Sequence, residues 1–146
     1  MTNRLRLDGF LPYRLSITSN LVSDRIARAY ESLFGLSIPE WRLVAVVAES
    51  NGITQQAIGE KTRMDKVTVS RAAIALVDRG LMARSPNAQD KRSHLLSLTE
   101  SGRDLYAAVA PKALELEARI FSRFSGEELD AFNTMLRRID AAAQES

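Results

Sequence analysis

The succession of helix starts along this chain narrows its possible folds more than any other feature. Ser37, Thr54, Asp65, Thr99 and Ser125 each stand before a run of apolar residues at helical spacing. Such side chains accept a hydrogen bond from the free N–H groups of a first helical turn. Pro12 opens an earlier helix, with Leu15, Val22, Ile26, Ala29 and Leu33 at helical intervals and Gly35 as its stop. Asn20, Asp24, Arg28 and Glu31 fall on its other faces. The second helix follows Ser37, with Pro39 and Glu40 in its first turn, an apolar face of Trp41, Val44, Val47 and Ala48, and a break at Asn51-Gly52. A short third segment from Gln55 to Lys61 turns Ala57 and Ile58 inward, and Arg63-Met64 forms a turn. The fourth helix, from Lys66 to Arg79, buries Val69, Ala73, Leu76 and Val77 and stops at Gly80.

Only one stretch departs from this period. Leu81 to Arg84 and His94 to Leu98 read as two short strands, joined by a polar turn from Ser85 to Lys91. Helical spacing resumes with Leu105, Val109, Leu116, Ile120 and Phe124, where Pro111 is expected to kink or divide the helix. In the last helix Leu129, Phe132, Leu136, Ile139 and Ala143 follow a 3, 4, 3, 4 spacing, a narrow seam suited to pairing helices. The expected fold is therefore mostly α with a small β-hairpin wing, a winged helix-turn-helix.

Composition closes off other classes. The 146 residues suit one domain, and 45% apolar with 26% charged residues suits a packed core. There is no Cys, which excludes disulfides, thiolate metal sites and thiol redox sensing. The single histidine, His94, offers no metal set and reads as an ordinary strand residue, so no metal and no cofactor are expected. No apolar run reaches the ~18 residues of a membrane span, and residues 1–10 lack the apolar block of a leader. The expected location is the cytoplasm. An enzyme is disfavoured: no Gly-rich phosphate loop or nucleophile elbow is present, and Gly59 and Gly80 read as helix-end glycines.

Charge is concentrated. Between Lys61 and Arg92 eight basic residues face three acidic ones, whereas Ser101 to Ser146 holds six basic and eight acidic residues. A helix fits the major groove of duplex DNA and its first turns reach base edges. A basic hairpin tip beside it reaches phosphates or the adjacent minor groove. The middle of the chain has that arrangement.

The residues themselves resemble the MarR family of bacterial regulators. The resemblance rests on Asp65-Lys66-Val67-Thr68-Val69-Ser70-Arg71, Leu76, Arg79-Gly80-Leu81 and Arg84, then Asp90-Lys91-Arg92 and Leu98-Thr99-Glu100-Ser101-Gly102. It implies a DNA-binding role for Lys66, Val67, Thr68, Ser70 and Arg71 on the recognition helix. Thr68, Ser70 and Arg71 are assigned to bases or nearby phosphates, and Val67 to a thymine methyl. Arg92 matches the wing-tip arginine that enters the minor groove, with Lys91 at most on a phosphate. Asp90 is expected to brace the wing through Arg84. Where relatives often carry an Asp and an Arg after the recognition segment, this chain has Ile74 and Ala75.

The long first helix and the terminal seam lack partners in a compact winged head. They are expected to pack against a second copy, giving a homodimer that reads a palindromic duplex. The division is then a single domain over 1–146, with dimerisation helices at about 11–34 and 103–144 and a DNA-binding head at about 37–101. The resemblance further implies a transcriptional repressor released by a small, often aromatic, ligand. Tyr13, Arg14, Trp41, Arg42 and Tyr106 are the candidate effector residues, an Arg meeting the ligand's carboxylate. The competing reading is a winged-helix module that binds protein or RNA without duplex preference.

Overall fold

Each cap read from the sequence is made in the computed structural model, which describes residues 4–145. Ser37 and Glu40 form a reciprocal capping box, with Oγ accepting the Glu40 amide at 3.3 Å and Glu40 Oε1 accepting the Ser37 amide at 2.7 Å. Ser125 and Glu128 repeat it at 3.1 and 2.9 Å. The side chains of Thr54, Asp65 and Thr99 accept from the amides of Ala57, Thr68 and Gly102 at 3.1, 2.8 and 3.1 Å. Each of these bonds satisfies an otherwise free N–H of a first turn.

The elements that follow are α1 (Leu11–Phe34), α2 (Ile38–Ala48), α3 (Gln55–Thr62), α4 (Lys66–Asp78), β1 (Met82–Pro86), β2 (His94–Leu98), α5 (Glu100–Phe121) and α6 (Gly126–Gln144). This is a winged helix-turn-helix, mostly helical with one antiparallel hairpin. The chain divides into two compact units, Met1–Ala113 and Leu114–Ser146. Residues 1–3 and 146, which the reading for a leader and the domain limits of 1–146 included, lie outside the described span. No helix among the described residues is long and apolar enough to cross a membrane.

The core of the first unit is built by α2, α3, α4 and the hairpin. Leu36, Leu43, Val44, Val47, Ile58, Val69, Ala73, Leu76, Met82 and Leu96 are almost fully excluded from solvent. Each large apolar side chain so buried contributes roughly 1.5–3 kcal/mol against exposure. The hairpin register pairs Met82 with Leu98 and Arg84 with Leu96. Leu96 also exchanges both main-chain hydrogen bonds with Ile53, at 2.8 and 3.1 Å. That bridge, not anticipated from sequence, ties the wing to the α2–α3 junction.

Several expectations need correction. β1 is shifted toward the tip, covering Ser85 and Pro86 instead of starting at Leu81, because the hairpin register extends to the Pro86–His94 pair. A single 3₁₀ turn, Leu7–Gly9, precedes α1. Of the two outcomes expected at Pro111, a kink or a division, the division does not occur, since α5 runs unbroken past it. Both Pro111 and Ala107, whose carbonyl loses its partner, are exposed, so that carbonyl is open to solvation. Gly59 lies inside α3 instead of at its end, and a Cβ there would stand 3.4 Å from the Met64 carbonyl, where α3 and the turn approach closely. Along α1, Val22, Ile26 and Ala29 of the expected stripe are half-buried, Leu15 and Leu33 are exposed, and Tyr30, outside the stripe, is the buried position.

In the second unit, the end of α5 and α6 enclose an apolar groove lined by Ala118, Phe121, Leu129, Phe132 and Leu136. Phe121 and Phe124 meet at 6.3 Å between ring centres. No residue of α6 is buried, and Phe132, Met135 and Ile139 remain exposed.

The start of α5 is pressed against the end of α4. Thr99 Oγ1 donates to the Gly80 carbonyl at 2.6 Å, and the Thr99 amide donates to the Leu81 carbonyl at 3.1 Å. A Cβ on Gly102 would collide with that Leu81 carbonyl and crowd the Leu98 side chain. Gly102→Ala is therefore expected to lower stability by about 2–3 kcal/mol, read as a drop in the urea midpoint. An unchanged midpoint would show that the junction can relax.

The cap of α4 is sensitive to acid. The Thr68 amide bond, the Thr68 side chain, the Val67 amide and the charge of Arg71 together hold the Asp65 carboxyl below the ordinary aspartate value. A carboxyl depressed by folding stabilises fully above its unfolded value, ~3.9, and that contribution disappears as pH falls through the lower folded value. Asp65→Asn keeps an acceptor but not the titration. Its melting temperature should therefore fall less steeply below about pH 4 than that of the parent chain. Parallel acid limbs in the two proteins would contradict this account.

Candidate nucleic-acid interface

The buried stripe of α4 decides which of its residues are free. Val69, Ala72, Ala73 and Leu76 turn into the core at intervals of three and four. The opposite face carries Lys66, Val67, Arg71 and Ile74, all exposed, with Val67 58% accessible. An isoleucine and a valine so exposed on a helix bearing two cations form an outward surface with no partner inside the head. Thr68 and Ser70 lie on its flanks, half-buried. Thr68 borders a shallow crevice with Ser37, Pro39, Glu40 and Arg71.

The hairpin tip is organised by its own polar side chains. Asn87 Nδ2 donates to Ser93 Oγ at 3.0 Å, and Asn87 Oδ1 accepts the Gln89 amide at 3.1 Å. Asp90 Oδ1 accepts the Arg92 amide at 3.0 Å and lies 3.6 Å from Arg92 Nε. Asp90 thus shapes the wing, but with Arg92 in place of the expected Arg84, since the local turn brings a residue two positions away into reach. The Arg92 side chain is 95% exposed. An ion pair so exposed contributes little energy and leaves the guanidinium available. Lys91 is exposed beside it.

Wing and helix share one cleft of about 430 Å³, into which Lys66, Arg84, Arg92, His94, Gln55 and Gln56 project. Three cations and one carboxylate, Asp90, border it, so its field favours an anion. The sequence reading missed the two glutamines. Their position at the first turn of α3, directly after the Thr54 cap, is the signal that marked them as outward-facing.

A second group of side chains lies away from this face. Trp41 stacks on Tyr106 at 5.9 Å between ring centres and 14° between planes, and Tyr30 meets Trp41 at 5.4 Å. Burial raises the Tyr30 phenol above its ordinary pKa. Two of the five proposed effector residues are therefore brought together, and Tyr30, not anticipated, joins them. Arg42 is on the exposed side of α2. Tyr13 and Arg14 are in the first turns of α1, about 25 Å along the helix from Tyr30. One chain alone does not gather all five into one pocket.

The MarR family model matches residues 36–94, the head from the start of α2 into β2. Transcriptional regulator HosA of Escherichia coli O111:H- is 29% identical over 119 residues, covering 82% of this chain and 88% of that protein. A MarR/EmrR family transcriptional regulator from Acinetobacter sp. ADP1 superposes with a TM-score of 0.89 at 24% identity, over 97% of this chain and 100% of that one. A MarR family transcriptional regulator from Streptomyces coelicolor, solved in complex with DNA, gives 0.85 at 20% identity, over 97% and 91% of the two chains. The MarR family model thus matches the head of this chain, and relatives named as transcriptional regulators are similar to it over most of its length.

Proposed function

We propose that this protein is a transcriptional regulator that binds double-stranded DNA in a sequence-specific manner as a homodimer, and that it is a repressor released by a small aromatic ligand. One observation carries the reading: the outward face of α4 and the basic cleft of the wing open side by side, with Lys66 belonging to both. In this role α4 enters the major groove, Thr68, Ser70 and Arg71 meet bases or adjoining phosphates, and Val67 meets a thymine methyl. Arg92 reaches the minor groove, Lys91 and Arg84 neutralise phosphate charge, and Asp90 keeps the loop in shape. The DNA-bound fold neighbour and the regulator names of the relatives support this assignment.

Pairing of two copies follows from the apolar surface that one chain leaves open. Leu11, Leu15 and Leu21 on α1, and Phe132, Met135 and Ile139 on α6, are exposed. Such residues on helices outside the head are suited to an isologous interface. Two heads so joined read half-sites about 34–36 Å apart.

For the ligand, the Tyr30–Trp41–Tyr106 stack offers a π surface at the junction of α1, α2 and α5. A planar carboxylate that inserts there would favour one spacing of the heads over another.

Selection of duplexes from a random library should recover an inverted repeat of roughly 16–20 base pairs, bound at submicromolar concentration at moderate salt. Arg71→Ala and Arg92→Ala should each weaken binding and reduce the slope of log K against log salt by about one. Preferential capture of RNA or single strands, or parent-like binding by both variants, would overturn the assignment. Because Trp41 is the only tryptophan, its fluorescence reports the aromatic cluster directly. Titration with salicylate or a related aromatic acid should quench it in the concentration range that releases the duplex, and release without a Trp41 response would place the ligand elsewhere.

A further inference from the structure

The trailing end of α4 is fastened to the end of α1 by one side chain. Arg79, the C-cap of α4, donates from Nη1 to the Gly35 carbonyl at 3.1 Å and from Nη2 to the Phe34 carbonyl at 3.3 Å. Phe34 is the last residue of α1 and Gly35 its C-cap, so these acceptors lie at the end that a helix leaves unpaired and at the negative end of its dipole. A guanidinium suits them because its planar fork donates to two acceptors while its charge meets the dipole. Gly35 makes the approach possible. It adopts a left-handed conformation with φ of 63°, and that turn sends the Leu36 amide back to the Tyr30 carbonyl at 3.3 Å. The Arg79 contact and the aromatic cluster thus share the final turn of α1. Otherwise α1 meets the head chiefly through α2.

We infer that Arg79 is a positioning residue for DNA recognition: it sets the angle of α4 relative to α1 without touching DNA. It stands at the opposite end of α4 from Lys66 and Val67, about 18 Å along the axis, so a small swing here moves the leading turn sideways. Specific binding by two heads requires that angle, whereas non-specific binding depends on charge alone.

The inference uses the proposed DNA role for one readout and is independent of it for the other. In the first, Arg79→Ala and Arg79→Lys are compared with the parent on a duplex selected by the parent and on a scrambled duplex of equal length. Arg79→Ala should lose about five- to tenfold on the selected duplex, with scrambled-duplex affinity and salt slope unchanged. Arg79→Lys, which keeps the charge but not the fork, should fall between. In the second, spin labels are placed through Ser32→Cys and Val67→Cys in this Cys-free chain, diluted with unlabelled protein so that one chain is read. The α1–α4 distance distribution should broaden in Arg79→Ala. A parent-like distribution overturns the inference, as does a scrambled-duplex loss with a slope lowered by one, which would mean direct phosphate contact. If Arg79→Ala fails to fold by circular dichroism, both readouts are taken on Arg79→Lys, where a parent-like result in each overturns it. Failure of the parent to bind any duplex refutes the DNA role alone, since the distance readout still decides.

Discussion

The packing of α4 against α2 and α3 through Val69, Ala72, Ala73 and Leu76 is the constraint on which everything else in this molecule depends. Two of these four are alanines, which allow the helices to approach closely, and together the four fill one face. Once that face is committed, Lys66, Val67, Arg71 and Ile74 have no direction but outward. The chemistry of the outward face is then a consequence of the core, and a residue cannot be moved between the two without unpacking the head. The Asp65 cap starts the helix where the first outward residue is needed, so capping and presentation are set together.

The wing extends this logic with polar in place of apolar contacts. Its tip holds its shape through Asn87, Asp90 and Ser93, whose short side chains bond to nearby main chain or to one another. Its root holds its place through Leu96, which is buried and bonded to Ile53. A tip built this way needs no hydrophobic support, which leaves the Lys91 and Arg92 side chains exposed to solvent. Net charge across the whole chain is only +2, so the electrostatic character of the cleft comes from where cations are put and not from how many there are.

The two ends of α4 are treated differently. Its leading end is open to solvent, while Gly80 and Leu81, just beyond its trailing end, are held by Thr99 at the start of α5 and Arg79 reaches the end of α1. A helix anchored at one end and exposed at the other suits a reading element whose angle is tuned from behind. It also places Tyr30, Trp41 and Tyr106 near the structural joints and away from the outward face.

Much of this was legible in the residues alone. Helix starts at Ser37, Thr54, Asp65, Thr99 and Ser125, the stop at Gly35 and the strand His94–Leu98 follow from bonds within four residues or from local alternation, so no distant partner is needed to read them. The ordered set from Asp65 to Gly102 likewise carries the resemblance to the MarR family, and it is read from linear order. Other features were beyond reach. Pro111 left both a kink and a division open, and only the folded chain shows that α5 is not divided there, while Arg84 looked like the partner of Asp90 until the turn gave that place to Arg92. The meeting of Tyr30 with Trp41 and Tyr106, the Ile53–Leu96 bridge, and the reach of Arg79 to carbonyls more than forty positions earlier belong to tertiary structure alone. Each depends on how helices are stacked in space, and spacing along the chain carries no information about that.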